Sequence, residues 1–178
     1  MIEKAVILPT GQEICDGLVI DTDSPEVMLQ LLKLNPLCCV ERRPPLADRE
    51  DVIAEAIKEA AAADLVILIG GSGGGHRFSS TLCEDYTHSA MELMLQDCFS
   101  RSIYGKNGHL WCKLVCGRLQ EALVINLPGP YVEAKAAMEA FVRSYEEGVR
   151  DLDTINRQMT EAVLAQYPAS AAKIKLSE

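Results

Sequence analysis

Asp64-Leu65-Val66-Ile67-Leu68-Ile69-Gly70-Gly71-Ser72-Gly73-Gly74-Gly75 decides the fold. Five aliphatic residues in a row, with no polar alternation, read as a strand buried on both faces, the pattern of a parallel sheet. The strand stops on glycines. Their conformational freedom lets successive backbone N–H groups turn toward one anion, and Ser72 adds a hydroxyl donor. Five glycines in the six residues 70–75 at a strand end read as a ligand loop, against the plainer reading of a flexible connection. The stretch is not a P-loop, because the Gly-Lys-Ser/Thr ending is missing. Nor is it a dinucleotide-binding turn, although Gly71-Ser72-Gly73 starts like one.

Working outward, residues 4–9 (KAVILP) form another buried strand, and 10–24 a polar loop. Ser24-Pro25-Glu26 predicts a helix start, with Ser24 as N-cap, Pro25 at the first helical position and Glu26 in the first turn. Val27, Leu31 and Leu34 follow at helical spacing, and Pro36 ends the run. Residues 37–41 predict a short strand. Asp48 is the expected N-cap of a helix whose stripe is Val52, Ile53, Ala56, Ile57 and Ala60. Residues 85–97 predict a helix, 110–118 and 122–127 a pair of strands, and 132–150 an amphipathic helix. A further helix is expected over 151–167, and the last eleven residues are a tail. The βαβαβ alternation predicts an α/β fold with a doubly wound sheet, whose ligand loops gather at the carboxyl ends of the strands. The expected division is 1–150 for the α/β domain and 151–178 for a C-terminal helix and tail.

A chain of 178 residues with 48% apolar residues suits one packed domain. The start, with Glu3 and Lys4 early, reads as a first buried strand rather than a signal peptide. No apolar stretch is long enough to span a membrane. The net charge of −9 makes nucleic acid an unfavourable partner. Arg42, Arg43, Arg49, Arg77, Arg101 and Arg118 remain candidates for a small anion. The seven cysteines are Cys15, Cys38, Cys39, Cys83, Cys98, Cys112 and Cys116, an odd number. Reduced thiols packed in a cytoplasmic protein account for them better than a zinc site, since neither Cys38-Cys39 nor Cys112-x-x-x-Cys116 has standard zinc spacing.

Asp48 and Asp85 are the candidate acids. Capping a helix explains each; holding Mg²⁺, which accepts one or two carboxylates, is the alternative. Asn126-Leu127-Pro128-Gly129-Pro130 ends the last parallel strand, either as a plain turn or as bare backbone beside a ligand. His76, His88 and His109 read as surface or loop residues.

Taken in order, these pieces resemble the molybdopterin-binding domain family. Val6-Ile7-Leu8-Pro9-Thr10-Gly11-Gln12-Glu13 resembles its opening strand and Thr-Gly-Asp/Asn-Glu. Gly17 with Asp21-Thr22-Asp23-Ser24 is similar to its Gly…Asp-Thr-Asn-Ser, and Leu46-Ala47-Asp48 to its Val-x-Asp. Asp64 to Gly73 resembles Asp-Leu-Val-Ile-Thr-Thr-Gly-Gly-Thr-Gly. Asp85-Tyr86-Thr87-His88-Ser89-Ala90 resembles Asp-x-Thr-x-x-Ala, and Asn126 to Pro130 resembles Asn-Leu-Pro-Gly-x-Pro. The resemblance covers residues 5–142.

The resemblance implies a three-layer, mostly parallel doubly wound sheet with a β-hairpin strand pair. It implies a molybdopterin site formed by Thr10, Gly11, Glu13, Gly70, Gly71, Ser72, Gly73, Gly74, Thr87, Pro128 and Gly129. Asp48 and Asp85 become the catalytic and metal-holding acids, which help Mg²⁺ and ATP deliver AMP to the pterin's terminal phosphate. A cytoplasmic homo-oligomer acting on an anionic small molecule is the expected form. A pterin or nucleotide carrier without chemistry, and a nucleotide-processing enzyme like the competence-damage-inducible proteins, are the alternatives. The chain departs from the family pattern in three places. Gln12 and Ile69 replace the usual residues, and Asp85 stands twelve residues after Gly73, where the family's acid comes sooner. Phe78 and Ser79 occupy that nearer spacing, so an insertion is inferred. Its His76 and Arg77 would suit a bulkier anion.

Overall fold

The computed structural model describes residues 1–74 and 85–168, and the backbone of 172–176. In chain order the elements are β1 (Lys4–Pro9), α1 (Gln12–Cys15), α2 (Asp23–Leu34), β2 (Cys39–Arg42), α3 (Glu50–Ala60), β3 (Leu65–Ile69) and α4 (Thr87–Met94). There follow β4 (Gln96–Gly105), β5 (Leu110–Leu119), β6 (Ala122–Leu127), α5 (Tyr131–Glu146), α6 (Leu152–Leu164) and β7 (Ala172–Leu176). They build a seven-stranded sheet in the order β2-β1-β3-β6-β5-β4-β7. The first four strands are mutually parallel; β5, β4 and β7 are added antiparallel.

The continuous aliphatic runs are central strands because helices cover both of their faces. Along β1 and β3, Ala5, Ile7, Leu65, Ile67 and Ile69 pack toward α2, α5 and α6. Val6, Leu8, Val66 and Leu68 pack toward α3 and α4. Each fully buried aliphatic side chain contributes about 1.5–3 kcal/mol, so this two-sided filling fixes the three-layer arrangement. Register does the rest. Pro9 pairs with Ile69 and Ile69 with Leu127, so β1, β3 and β6 end level with one another. Thr10, Gly70 and Pro128, the next residue of each, therefore emerge side by side.

Several expectations need correction. The helix expected over 85–97 spans Thr87–Met94, and Leu95 turns extended because Gln96 starts β4. Neither β4 nor β7 was expected. Ser24 does not cap α2, which starts at Asp23. The Asp21 carboxylate takes that role, accepting from the Ser24 N–H at 2.9 Å and the Ser24 hydroxyl at 2.6 Å, since a carboxylate is the stronger acceptor. Asp48 does not cap α3; its Oδ2 accepts the N–H of Gln12 at 2.9 Å, at the start of α1, a turn the loop 10–24 was not expected to contain. Asp85 does not cap α4, whose first residue Thr87 donates its N–H to the Gly71 carbonyl. His88 is buried, with Nε2 3.3 Å from the Gly73 carbonyl. Cys38, Cys112 and Cys116 are buried, but Cys15, Cys39 and Cys98 are exposed, so core packing explains only half of the described thiols. Among the described residues no helix is long and apolar enough to cross a membrane.

The antiparallel half packs Ile103 and Leu114 against Ile155 and Met159 of α6, and a buried polar anchor adds to this apolar contact. Arg101 of β4 is buried and donates to the Asp153 carbonyl, the Asp153 carboxylate and Asn156 Oδ1 of α6. Asn156, fully buried, donates back to the Leu114 carbonyl of β5 at 3.0 Å.

Candidate functional site

Level strand ends open a cavity of about 460 Å³. Its floor is backbone. Gly70 has φ +100° and Gly71 φ +59°, a region that favours glycine. A Cβ on Gly70 would lie 2.5 Å from the Thr10 carbonyl oxygen, and one on Gly71 2.4 Å from Thr87 Oγ1. Neither position tolerates a side chain. The Gly70 N–H is used by the Leu127 carbonyl and the Gly74 N–H by the Leu110 carbonyl. Between them, the N–H groups of Gly71, Ser72 and Gly73 have no hydrogen-bond partner among the described residues, and all three residues line the cavity. Successive backbone amides of this kind suit an anion.

Pro128 and Gly129 form the neighbouring wall, where a Cβ on Gly129 would stand 3.8 Å from the Gly70 Cα. Gly11, at φ +144°, lies close to the Glu13 carboxylate. Thr10, Gly11, Glu13, Asp48 and Asp85 line the same space. The cavity thus gathers the residues singled out from sequence, except Gly74 and Thr87. Those two lie behind it: Gly74 pins the loop to Leu110, and Thr87 bonds Thr10 through their hydroxyls at 3.0 Å. Gly75, His76, Arg77, Phe78, Ser79 and Cys83 lie outside the described residues.

The lining is acidic. Glu13, Asp21, Asp23, Asp48, Asp85 and Glu133 contribute carboxyl groups, and no Lys, Arg or His belongs to the described lining. Arg42 sits behind it, pairing with Asp21 at 2.8 Å. Asp21 has a lowered pKa: burial opposes the charge, but the Ser24 hydrogen bonds and Arg42 together outweigh it. Asp23 beside it is pushed up to about 6, by burial first and by the Asp21 charge second. Its Oδ1 is buried with no hydrogen-bond partner. The other candidate arginines are placed elsewhere. Arg43 pairs with Glu41 and Glu59, Arg49 with Asp51, Arg101 anchors α6, and Arg118 lines a separate cavity.

One wall was not anticipated. Trp111 of β5, Glu133 of α5 and Tyr167, just past α6, line the cavity together with Asp21 and Asp23. The Tyr167 hydroxyl donates to Glu133 Oε1 at 2.5 Å, and the Trp111 and Tyr167 ring centroids stand 4.7 Å apart. Burial pushes the Glu133 carboxyl up. These residues come from three distant segments with no local motif; the lone tryptophan beside a strand start was the only available hint.

Comparisons with known proteins bear on the family and the fold. Residues 6–147 match the family model described as "Probable molybdopterin binding domain". A CinA-like protein of Anaeromyxobacter sp. (strain K) is 43% identical over 68 residues, 38% of this chain and 16% of that protein. Another, from Fervidobacterium nodosum, is 38% identical over 72 residues, 40% of this chain and 17% of its own length. The chain thus spans less than a fifth of these curated relatives. Among solved structures, the tungsten cofactor synthesizing protein MoaB of Pyrococcus furiosus superposes with TM-score 0.62 at 16% identity, over 85% of this chain and 98% of that one. A CinA protein of unknown function from Thermoplasma acidophilum gives 0.58 at 17% identity, over 83% and 98%. At such identities the structural likeness speaks for the fold alone, whereas the family model covers most of the sequence. The chain belongs to the molybdopterin-binding domain family.

Proposed function

We propose that this chain binds molybdopterin at the ends of β1, β3 and β6 and, with Mg²⁺ and ATP, transfers AMP to the pterin's terminal phosphate, the α–β phosphoanhydride bond of ATP breaking to release pyrophosphate. The observation that carries the reading is the row of N–H groups at Gly71, Ser72 and Gly73, without a partner among the described residues, beside Asp48 and Asp85 in one cavity. The amides supply hydrogen bonds to phosphate oxygens without needing a cationic side chain. The carboxylates of the described lining repel a bare phosphate, and a cation that accompanies the ligand would offset them. Mg²⁺ supplies that charge when bound; it takes one or two carboxylates and fills its shell with phosphate oxygens and water. Asp48, oriented by the Gln12 N–H, and Asp85, next to Gly73, are the residues that would hold it. Thr87 and Thr10 keep the glycine floor in place. The chain's contribution is positioning and charge neutralisation, with no covalent intermediate on the protein. The chain would act in the cytoplasm as a homo-oligomer.

The test is titration of the purified protein with molybdopterin, with and without Mg-ATP, followed by a search for adenylylated pterin. Product supports the transferase. Tight binding without product leaves a carrier, and no binding overturns the reading. A second reading, a nucleotide-processing enzyme, is favoured by the 43% identity to a CinA-like protein. Magnesium-dependent hydrolysis of ADP-ribose without action on molybdopterin would select it.

A further inference from the structure

The aromatic wall is not needed by a phosphate. Trp111 lies against bare backbone: a Cβ on Gly105 would fall 2.6 Å from its Cε2 and Nε1 atoms. The Tyr167 ring meets the indole at 4.7 Å between centroids and an interplanar angle of 43°. Its hydroxyl is committed to Glu133 Oε1. The indole is thus held by Gly105 and Tyr167, and Tyr167 by Glu133. Tyr167 lies outside residues 6–147, the stretch the family model matches. All three residues are half-buried and line the cavity that also contains the Gly71–Gly73 amides.

A fixed aromatic surface with a carboxylate at its edge is the chemistry that takes a flat ring bearing N–H donors. Rings gain from aromatic contact, and a carboxylate oxygen accepts from ring or exocyclic N–H groups. We propose that Trp111, Tyr167 and Glu133 form the ring-binding wall of the cavity, selecting a planar bicyclic N-heterocycle, pterin or purine, whose phosphate tail reaches the Gly71–Gly73 amides. This rests on the cavity binding a phosphate-bearing ligand, not on molybdopterin being that ligand. Pterins and purines share the recognised chemistry, and the experiment separates them.

Trp111 is the sole tryptophan of the chain, so its emission reports on this wall alone. The full chain is titrated with neopterin monophosphate, AMP and ribose 5-phosphate in the presence of Mg²⁺. Emission is followed together with calorimetric affinity. At least one ring-bearing phosphate should change the emission and bind about tenfold or more tighter than ribose 5-phosphate. Tyr167→Leu should remove that margin and leave ribose 5-phosphate within about twofold. If Tyr167→Leu does not fold, Glu133→Gln carries the test: several-fold weaker ring ligands with ribose 5-phosphate unchanged. Equal affinities for all three ligands, equal loss for all three in a variant, or no binding of any overturns the wall. Binding of AMP but not of neopterin monophosphate keeps the wall and removes the molybdopterin reading. Pterin binding that neither variant alters does the reverse.

Discussion

Thr10 Oγ1 and Thr87 Oγ1 lie 3.0 Å apart in the interior, and Thr10 Oγ1 also lies 3.1 Å from the Ile69 carbonyl. A hydroxyl has one proton, so Thr10 gives its own to the carbonyl and accepts that of Thr87. The chain of bonds ties the first turn of α4 to the ends of β1 and β3, directly beneath Gly70 and Gly71. The Thr87 hydroxyl also occupies the space beside the Gly71 Cα, where a Cβ would fall at 2.4 Å.

Two substitutions test this relationship. Thr87→Val keeps the shape and removes the donor, and should cost about 1–2 kcal/mol in urea unfolding. Gly71→Ala adds a left-handed conformation to a clash and should cost about 2–3 kcal/mol. In a Thr87→Ala background the clashing oxygen is gone, so Gly71→Ala should cost measurably less than it does alone. Strict additivity of the two losses would mean that Thr87 does not shape the loop.

A second prediction concerns the anchor of α6. Asn156→Ala deprives both the Arg101 guanidinium and the Leu114 carbonyl of a buried partner, and Arg101 Nε is already without one. A loss of about 2–4 kcal/mol is expected by chemical denaturation. Asp153→Ala should cost under about 1 kcal/mol, because that carboxylate is half exposed and water can replace it. Equal losses in the two variants would place the anchor in the ion pair instead.

The same anchor explains what could be read from sequence. β1, β3 and β6 were legible because each carries a run of four or more apolar residues, and the longer helices because their apolar residues recur at helical spacing. β4 was hidden because two of its buried positions are Arg101 and Ser102, satisfied by distant partners or backbone, so hydrophobic periodicity does not mark it. The five residues of β7 carry too little pattern to stand out from a tail. At the site, glycine and Pro-Gly signals pointed to the cavity because backbone requirements leave local traces. Trp111, Glu133 and Tyr167 leave none, since only the fold brings them together. Asp48 was misread as a cap for a related reason: its partner, the Gln12 N–H, lies thirty-six residues away.

The third prediction follows from Asp23. Its folded pKa, about 6, exceeds the unfolded value of 3.8. A raised pKa contributes stability that is present in full below the unfolded value and lost as pH rises through the folded one. Asp23→Asn removes this dependence. The variant should therefore gain on the wild type between about pH 4 and pH 6.5, by on the order of 1–2 kcal/mol, after discounting for screening by cavity water. Loss of a negative charge from the first turn of α2 offsets a few tenths of a kcal/mol. Melting curves of both proteins across that range check it. A constant difference would mean that Asp23 does not titrate within the window.

The last prediction concerns charge in the cavity. Six carboxyl groups line it, and the described lining has no cationic side chain to oppose them. Unit charges 4 Å apart interact by about 4 kcal/mol at an effective dielectric constant near 20, so a nucleotide phosphate entering without a cation meets substantial repulsion. ADP is the probe. Chelating Mg²⁺ should weaken its binding about tenfold or more, measured by calorimetry. Asp48→Asn keeps an oxygen to accept the Gln12 N–H, so that bond survives the substitution. Its two affinities should then move in opposite directions. Metal-free ADP binds more tightly because one repelling charge has gone, and Mg-ADP binds more weakly because the ion has lost a ligand. A merely structural Asp48 would weaken both together. That result would remove Asp48 from the metal position and leave Asp85 as the acid to test.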